Sequence, residues 1–345
     1  MRITQVREES LALSRYADAT ITAGGLTTSV VSIFTDATIA GRQVVGSAHA
    51  SIGRFAQGGL IRERFAPRLL EAGNFDDPRD AWRAMMQGEK PGGHGDRSVA
   101  VGALDCAVWD AAAQIAGEPL YRYIARIAGV QPAEQIAVYA GGGYPYPEDD
   151  ISRLQTELRA MRDLGFERVK IKIGAAPLRE DLRRIEAAID VLGSGSMLAV
   201  DAMNAYDRKN ALEAARALDP YGLWWFEDVC DPHDFATLSH VASMYSGSIA
   251  AGEALFSLAE AKLLDDYGGL RPERDILLFD PVHCYGVTGY MEIVNELTQR
   301  GWPRTAFWPH GGHALAQHIA AGLNLGGAEC NPFAFAPLGT RGSVL

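Results

Sequence analysis

Lys170 and Lys172 sit two residues apart inside the β-branched apolar run VKIKIG, residues 169–174. On a strand that spacing sends both ammonium groups to one face, opposite Val169, Ile171 and Ile173. Each cation disfavours charge on the other, so one can hold a depressed pKa and act as a base near neutrality, where an isolated lysine at about 10.4 cannot. An edge strand with one solvated face is the plainer reading of the same spacing. Downstream, an ionisable residue ends one apolar run after another: Asp201 in LAVDA, Glu227 in LWWFED, Glu253 in AAGEA, Asp280 in LLFDP and His310 in AFWPH. Asp201, Glu227 and Glu253 are hard oxygen donors of the kind Mg²⁺ prefers while keeping positions open for substrate and water. Without a cation, carboxylates brought together would repel. With a substrate carboxylate polarised at the metal, Lys172 can remove the adjacent proton as an enediolate develops. His310, its ring fixed by Asp280, can work from the opposite side. Singly, each residue could be a helix N-cap or a solvated strand end. Together with Lys172 they make a register that argues for one shared purpose.

Such a register needs strands whose C-terminal ends converge. After Gln131 and Pro132 the chain alternates apolar runs (136–140, 169–173, 197–201, 223–227, 249–253, 276–280 and 305–310) with helical patterns such as EDLRRIEAAIDVLG and YMEIVNELTQRG. Units of roughly 25 to 30 residues with buried parallel strands predict an α/β fold of the (β/α) barrel type, whose strand ends share one mouth. A doubly wound sheet is the other candidate, but no GxGxxG opens a helix after a strand. Before residue 131 the order differs. Runs at 2–6, 27–35 and 43–48 predict strands, and helices follow over IRERFAPRLLEAG, over 78–87 and over 98–127 with a break at Gly117-Glu118-Pro119. That makes residues 1–130 an α+β unit and residues 131–345 the barrel. Gly-rich stretches at 51–65 and 88–98, carrying Arg54, Lys90, His94 and Arg97, read either as tight turns or as loops that close over a pocket.

Composition narrows the partners. A net charge of -11 over 345 residues argues against nucleic acid and against an anionic membrane surface, while leaving room for a small anionic substrate. MRITQVREES has no apolar signal core, no uninterrupted apolar run reaches ~18 residues, and Cys106, Cys230, Cys284 and Cys330 are widely spaced. Buried thiols in a cytoplasmic protein are the expectation.

The order KxK, Asp, Glu, Glu, Asp, His resembles the mandelate racemase subgroup of the enolase superfamily over nearly the whole chain. GRFAQGGLIRERF, GEKPGGHGDRSVAVGALD, KIKIGAAPLREDLRRIEA, GGLRPERD and PHGGHALAQHIAAGLNLGG are similar to segments of its D-tartrate dehydratase branch. The resemblance implies an N-terminal α+β capping domain on a modified (β/α)7β TIM-type barrel, and a Mg²⁺-dependent acid sugar dehydratase acting on a small hydroxy acid. In that scheme Lys172 takes the α-proton with Lys170 tuning it. Asp201, Glu227 and Glu253 hold the ion, and the His310–Asp280 dyad protonates the leaving β-hydroxyl. Glu329, Lys90 and Asn204 contact substrate, and the chains self-associate as homo-oligomers. A tartrate substrate would give oxaloacetate. Three departures point to a changed substrate: Met203 stands before Asn204, Ala254 follows the third metal ligand, and Ala50-Ser51-Ile52 replaces a polar trio. By the same resemblance the C-terminus after NPFAFAPLGT is short, so a cap that closes less fully is expected. Two alternatives stand beside dehydration: racemisation by 1,1-proton transfer, and a catalytically weak barrel that binds an anion.

Overall fold

The computed structural model describes residues 1–12, 27–50 and 56–333. Arg54, Ser51 and Ile52, and the segment after Phe333, lie outside the described residues. An antiparallel sheet opens the chain, with β1 (Ile3–Ala12), β2 (Thr27–Ile39) and β3 (Arg42–His49) in that order. Ala40 and Gly41 both have positive φ, 50° and 78°, so β2 and β3 join through a two-residue turn matched to strand twist. Helical structure begins at Gly58, inside the stretch read as a loop, and runs to Glu71 through a π-turn at Ile61–Phe65. Helices Pro78–Met86, Asp96–Ala116 and Leu120–Ala128 follow, the last two separated at the predicted Gly-Glu-Pro break, where Gly117 ends its helix in the left-handed region.

Helix Asp96–Ala116 is long and apolar enough to cross a membrane, but most of it is buried inside the protein. Glycines let it pack closely on both sides. A Cβ on Gly46 of β3 would lie 2.0 Å from the Ala107 carbonyl, and one on Gly102 would lie 1.9 Å from the Val282 carbonyl. The helix therefore joins the antiparallel sheet to the second half of the chain. Asp105 completes that joint by accepting from the N–H (3.0 Å) and hydroxyl (2.8 Å) of Thr288.

The second half is a seven-stranded parallel sheet: β4 (Ala137–Gly141), β5 (Val169–Lys172), β6 (Leu198–Asp201), β7 (Trp225–Glu227), β8 (Ile249–Ala251), β9 (Ile276–Leu277) and β10 (Gly327–Cys330). Its order is β10-β4-β5-β6-β7-β8-β9. The strand expected at 305–310 is instead a short 3-10 turn at Arg304–Ala306 and one bridge, Leu277 to Phe307. Pro309 lacks the donor a ladder needs. The segment still closes the ring, because Trp308 N–H reaches the Leu277 carbonyl at 2.9 Å and Gly326 N–H reaches the Phe307 carbonyl at 3.1 Å. Tyr139, Ala199, Trp225, Ala250, Leu278 and Trp308 form a separate apolar cluster inside it, apart from the main core. All four cysteines are buried, and none forms a disulfide among the described residues.

Candidate active site

β5 is not an edge strand. It lies between β4 and β6, all four of its residues are buried, and Lys172 pairs in register with Asp201, which pairs with Glu227. Short parallel strands thus set a lysine and two acids side by side at their C-terminal ends. Glu253 and Asp280 lie two and three residues past the last residues of β8 and β9, in the following turns.

Electrostatic contacts link these residues in one chain. Lys172 Nζ bonds Asp201, and Lys170 Nζ bonds Glu227 while lying 3.7 Å from Asp201 Oδ2 and 3.5 Å from Glu329 Oε1. Glu329 Oε2 is 3.8 Å from His310 Nε2, which is 3.3 Å from Glu253 Oε2. His310 Nδ1 lies 2.8 Å from Asp280 Oδ2. A carboxylate can only accept, so Nδ1 carries the hydrogen and Nε2 faces the other acids. Asp280 Oδ1 is held by the N–H groups of Val282 and His283.

Neither lysine holds the depressed pKa that the sequence suggested, although Lys170 does lower Lys172. Burial lowers both, but the carboxylates across the strands outweigh it, Glu227 and Glu329 for Lys170 and Asp201 for Lys172, and both rise. Burial also pushes Glu227 above the usual carboxylate range, helped by repulsion from Asp201 and Glu253. His310 rises to about 10: burial alone would lower it, but Glu253 and Asp280 favour the imidazolium.

Asp201, Glu227 and Glu253 each offer an oxygen, and the three oxygens lie within 4.8 Å of one another. Glu253 Oε2 is buried and accepts no hydrogen bond among the described residues, although His310 Nε2 lies 3.3 Å away. Three hard donors, one with a buried oxygen that accepts no hydrogen bond among the described residues and one raised above its normal pKa by burial and by the other two acids, fit a divalent cation such as Mg²⁺.

Two predicted substrate contacts stand apart from this line. Lys90 is exposed, and its carbonyl accepts from Arg97 Nη1 at 2.8 Å. Arg97 holds its own loop and meets the Tyr285 hydroxyl at 3.0 Å, and so fastens residues 88–95 to the barrel. Asn204, at φ 59°, donates its side-chain N–H to Asp228 at 3.3 Å, and its Oδ1 is buried with no partner among the described residues.

Four residues escaped sequence reasoning. Trp225 Nε1 donates to Glu227 Oε2 at 2.7 Å, a contact that the two-residue spacing on β7 could have revealed. The Tyr144 ring lies 5.4 Å from Lys172 Nζ. Asp228 is a further buried acid beside the trio, and His283 lies against Asp280. Neither carries a spacing signal.

Residues 153–336 match the Enolase C-terminal domain-like family. The chain is similar to the arabinonate dehydratase of Saccharolobus solfataricus, 29% identical over 67% of this chain and 61% of the relative. It is 26% identical to the L-talarate/galactarate dehydratase of Salmonella typhimurium over 72% of this chain and 61% of the relative. It spans about three fifths of the length of these curated relatives. Among solved structures, L-talarate dehydratase from Polaromonas sp. JS666, complexed with Mg and L-glucarate, superposes with a TM-score of 0.76 at 25% identity, covering 96% of this chain and 86% of that one.

Proposed function

The chain belongs to the Enolase C-terminal domain-like family, in the mandelate racemase/muconate lactonizing subgroup of the enolase superfamily, and from that premise we propose that it is a Mg²⁺-dependent hydro-lyase. Its substrates are small hydroxylated carboxylic acids, dehydrated to 2-keto acids. The observation that carries this reading is the unbroken line of contacts from Lys172 through the carboxylates to the His310–Asp280 pair. Dehydratases among the similar proteins, one bound to Mg and an acid sugar, support it.

Asp201, Glu227 and Glu253 would hold a divalent cation, which would supply positive charge for the substrate carboxylate and, by neutralising Asp201, let Lys172 stand as the neutral amine a base must be. Lys172 takes the α-proton. The C–H electron pair becomes the double bond of an enol, and the β-hydroxyl departs with its C–O pair, receiving a proton from His310 Nε2 to leave as water. Asp280 holds Nδ1–H and thereby the orientation of the ring. Lys170 fixes Glu227 from beneath. Glu329 faces the substrate carboxylate; burial alone would raise its pKa, but Lys170 and His310 beside it hold it below the usual carboxylate range. The enol then tautomerises to the keto acid.

Similarity of segments to the tartrate branch favours a tartrate-like diacid giving oxaloacetate. Met203 and Ala254 favour a different distal group. Incubating tartrate isomers and longer acid sugars with Mg²⁺ and semicarbazide tests the reading, and keto acid from at least one is expected. Deuterium incorporated from solvent at Cα with no keto acid would reassign the site to 1,1-proton transfer.

A further inference from the structure

We propose that Asp280, His283 and His310 form a second cation site beside the all-oxygen trio, taking a borderline divalent ion of which Zn²⁺ is the type. One donor atom from each lies within 4.8 Å of the others. Asp280 Oδ2 is 2.8 Å from His310 Nδ1 and 3.8 Å from His283 Nδ1. Tetrahedral Zn²⁺, with bonds of about 2.0–2.1 Å, wants donors roughly 3.3 Å apart, so the two sides that meet at Asp280 Oδ2 each change by only about half an ångström. Asp280 Oδ1 is occupied by the N–H groups of Val282 and His283, which aims Oδ2 at the two rings. The His283 ring is held edge-on by Phe256 at 5.2 Å, and the His310 side chain, 14% exposed, opens the site to solvent. The cost is the contact of His283 Nδ1 with the Glu253 carbonyl at 3.3 Å, which the ion would replace.

Donor chemistry separates the two sites. Two imidazoles and one carboxylate select Zn²⁺, Co²⁺ or Ni²⁺ over Mg²⁺, whereas three carboxylates suit Mg²⁺. Three protein ligands leave a fourth position for water. An ion on His310 Nδ1 displaces its proton and removes Asp280 from the ring. Given the dehydratase reading, on which this one consequence rests, Zn²⁺ inhibits by blocking proton delivery, and added Mg²⁺ does not relieve it.

The test titrates Zn²⁺ into the full chain in saturating Mg²⁺, by calorimetry and by zinc-edge X-ray absorption, with Co²⁺ as an optical probe. Expected are one Zn²⁺ per chain, scattering from two imidazoles, and a visible Co²⁺ band. In His283→Gln, affinity falls by more than the roughly 10- to 100-fold seen on losing a supporting group. Absence of Zn²⁺ uptake, an oxygen-only shell, or equal affinity in His283→Gln overturns the site. The absorption spectrum of the wild type decides the matter even if the variant fails to fold. Zn²⁺ bound with two imidazoles by a protein that dehydrates nothing sinks the proposed function and leaves the site standing. Dehydration without Zn²⁺ uptake does the reverse.

Discussion

Lys172 and His310 divide proton removal from proton delivery, so variants of the two sides should separate the half-reactions. Lys172→Ala is expected to lower kcat by about 10²- to 10⁴-fold, the usual worth of a positioned base, and to abolish deuterium exchange at Cα as well. Asp280→Asn leaves Lys172 in place but removes the anion that orients His310. Keto acid should then fall steeply while Cα exchange persists, which proton NMR in D₂O can follow. Equal loss of both signals in Asp280→Asn would remove the division of labour. What was legible in the sequence was their shared register, a charge closing one apolar run after another, which the structure draws into one line of contacts. Their protonation was not. Sequence shows that Lys170 neighbours Lys172 along β5, but not that Asp201 and Glu227 face them from β6 and β7.

Elements position the site through close contacts that tolerate little change. A Cβ at position 102 would overlap the Val282 carbonyl, two residues from Asp280. Gly102→Ala should destabilise the protein by about 1–3 kcal/mol or more and disturb the dyad, seen as a lower Tm and lower kcat. Asp105, in the same helix, is pushed up to about 7 by burial, against the hydrogen bonds from Thr288 that favour its charge. Its folded pKa thus exceeds the unfolded value of about 3.9. The folded state binds the extra proton between those values, so this group's contribution to stability is greatest below about pH 4, declines as pH rises toward 7 and is flat above. Subtracting the Asp105→Asn stability profile from that of the wild type should reveal this decline over that window; a flat difference would show that Asp105 is ionised throughout. The helices and most strands were legible from period and from Gly and Pro stops. The segment at 305–310 was not, because its apolar pattern matches a strand while Pro309 and a single bridge keep it from forming one.

At the scale of the molecule, the mouth is made by residues far apart in the chain. Tyr285 meets both His94 Nδ1, at 2.9 Å, and Arg97, so the Gly-rich loop is tied to the turn that follows Asp280. Such long-range contacts leave no periodic trace, which is why the sequence left this stretch open between a tight turn and a closing loop and gave Arg97 no role as a fastening. If the trio holds Mg²⁺ only in the folded state, the ion should stabilise the whole protein, by about 2.7 kcal/mol at a hundredfold excess over Kd. Asp201→Asn should lose most of that gain in a thermal melt.

Keto acid formation from a panel of hydroxylated acids, followed with Mg²⁺, after chelation, and in Asp201→Asn, bears most directly on the claim that three strand-end carboxylates and Lys172 make a carbon acid labile. Product from at least one dihydroxy acid, dependent on Mg²⁺ and lost in the variant, is the predicted result. Product formed equally fast after chelation, or by Asp201→Asn at the wild-type rate, would contradict it.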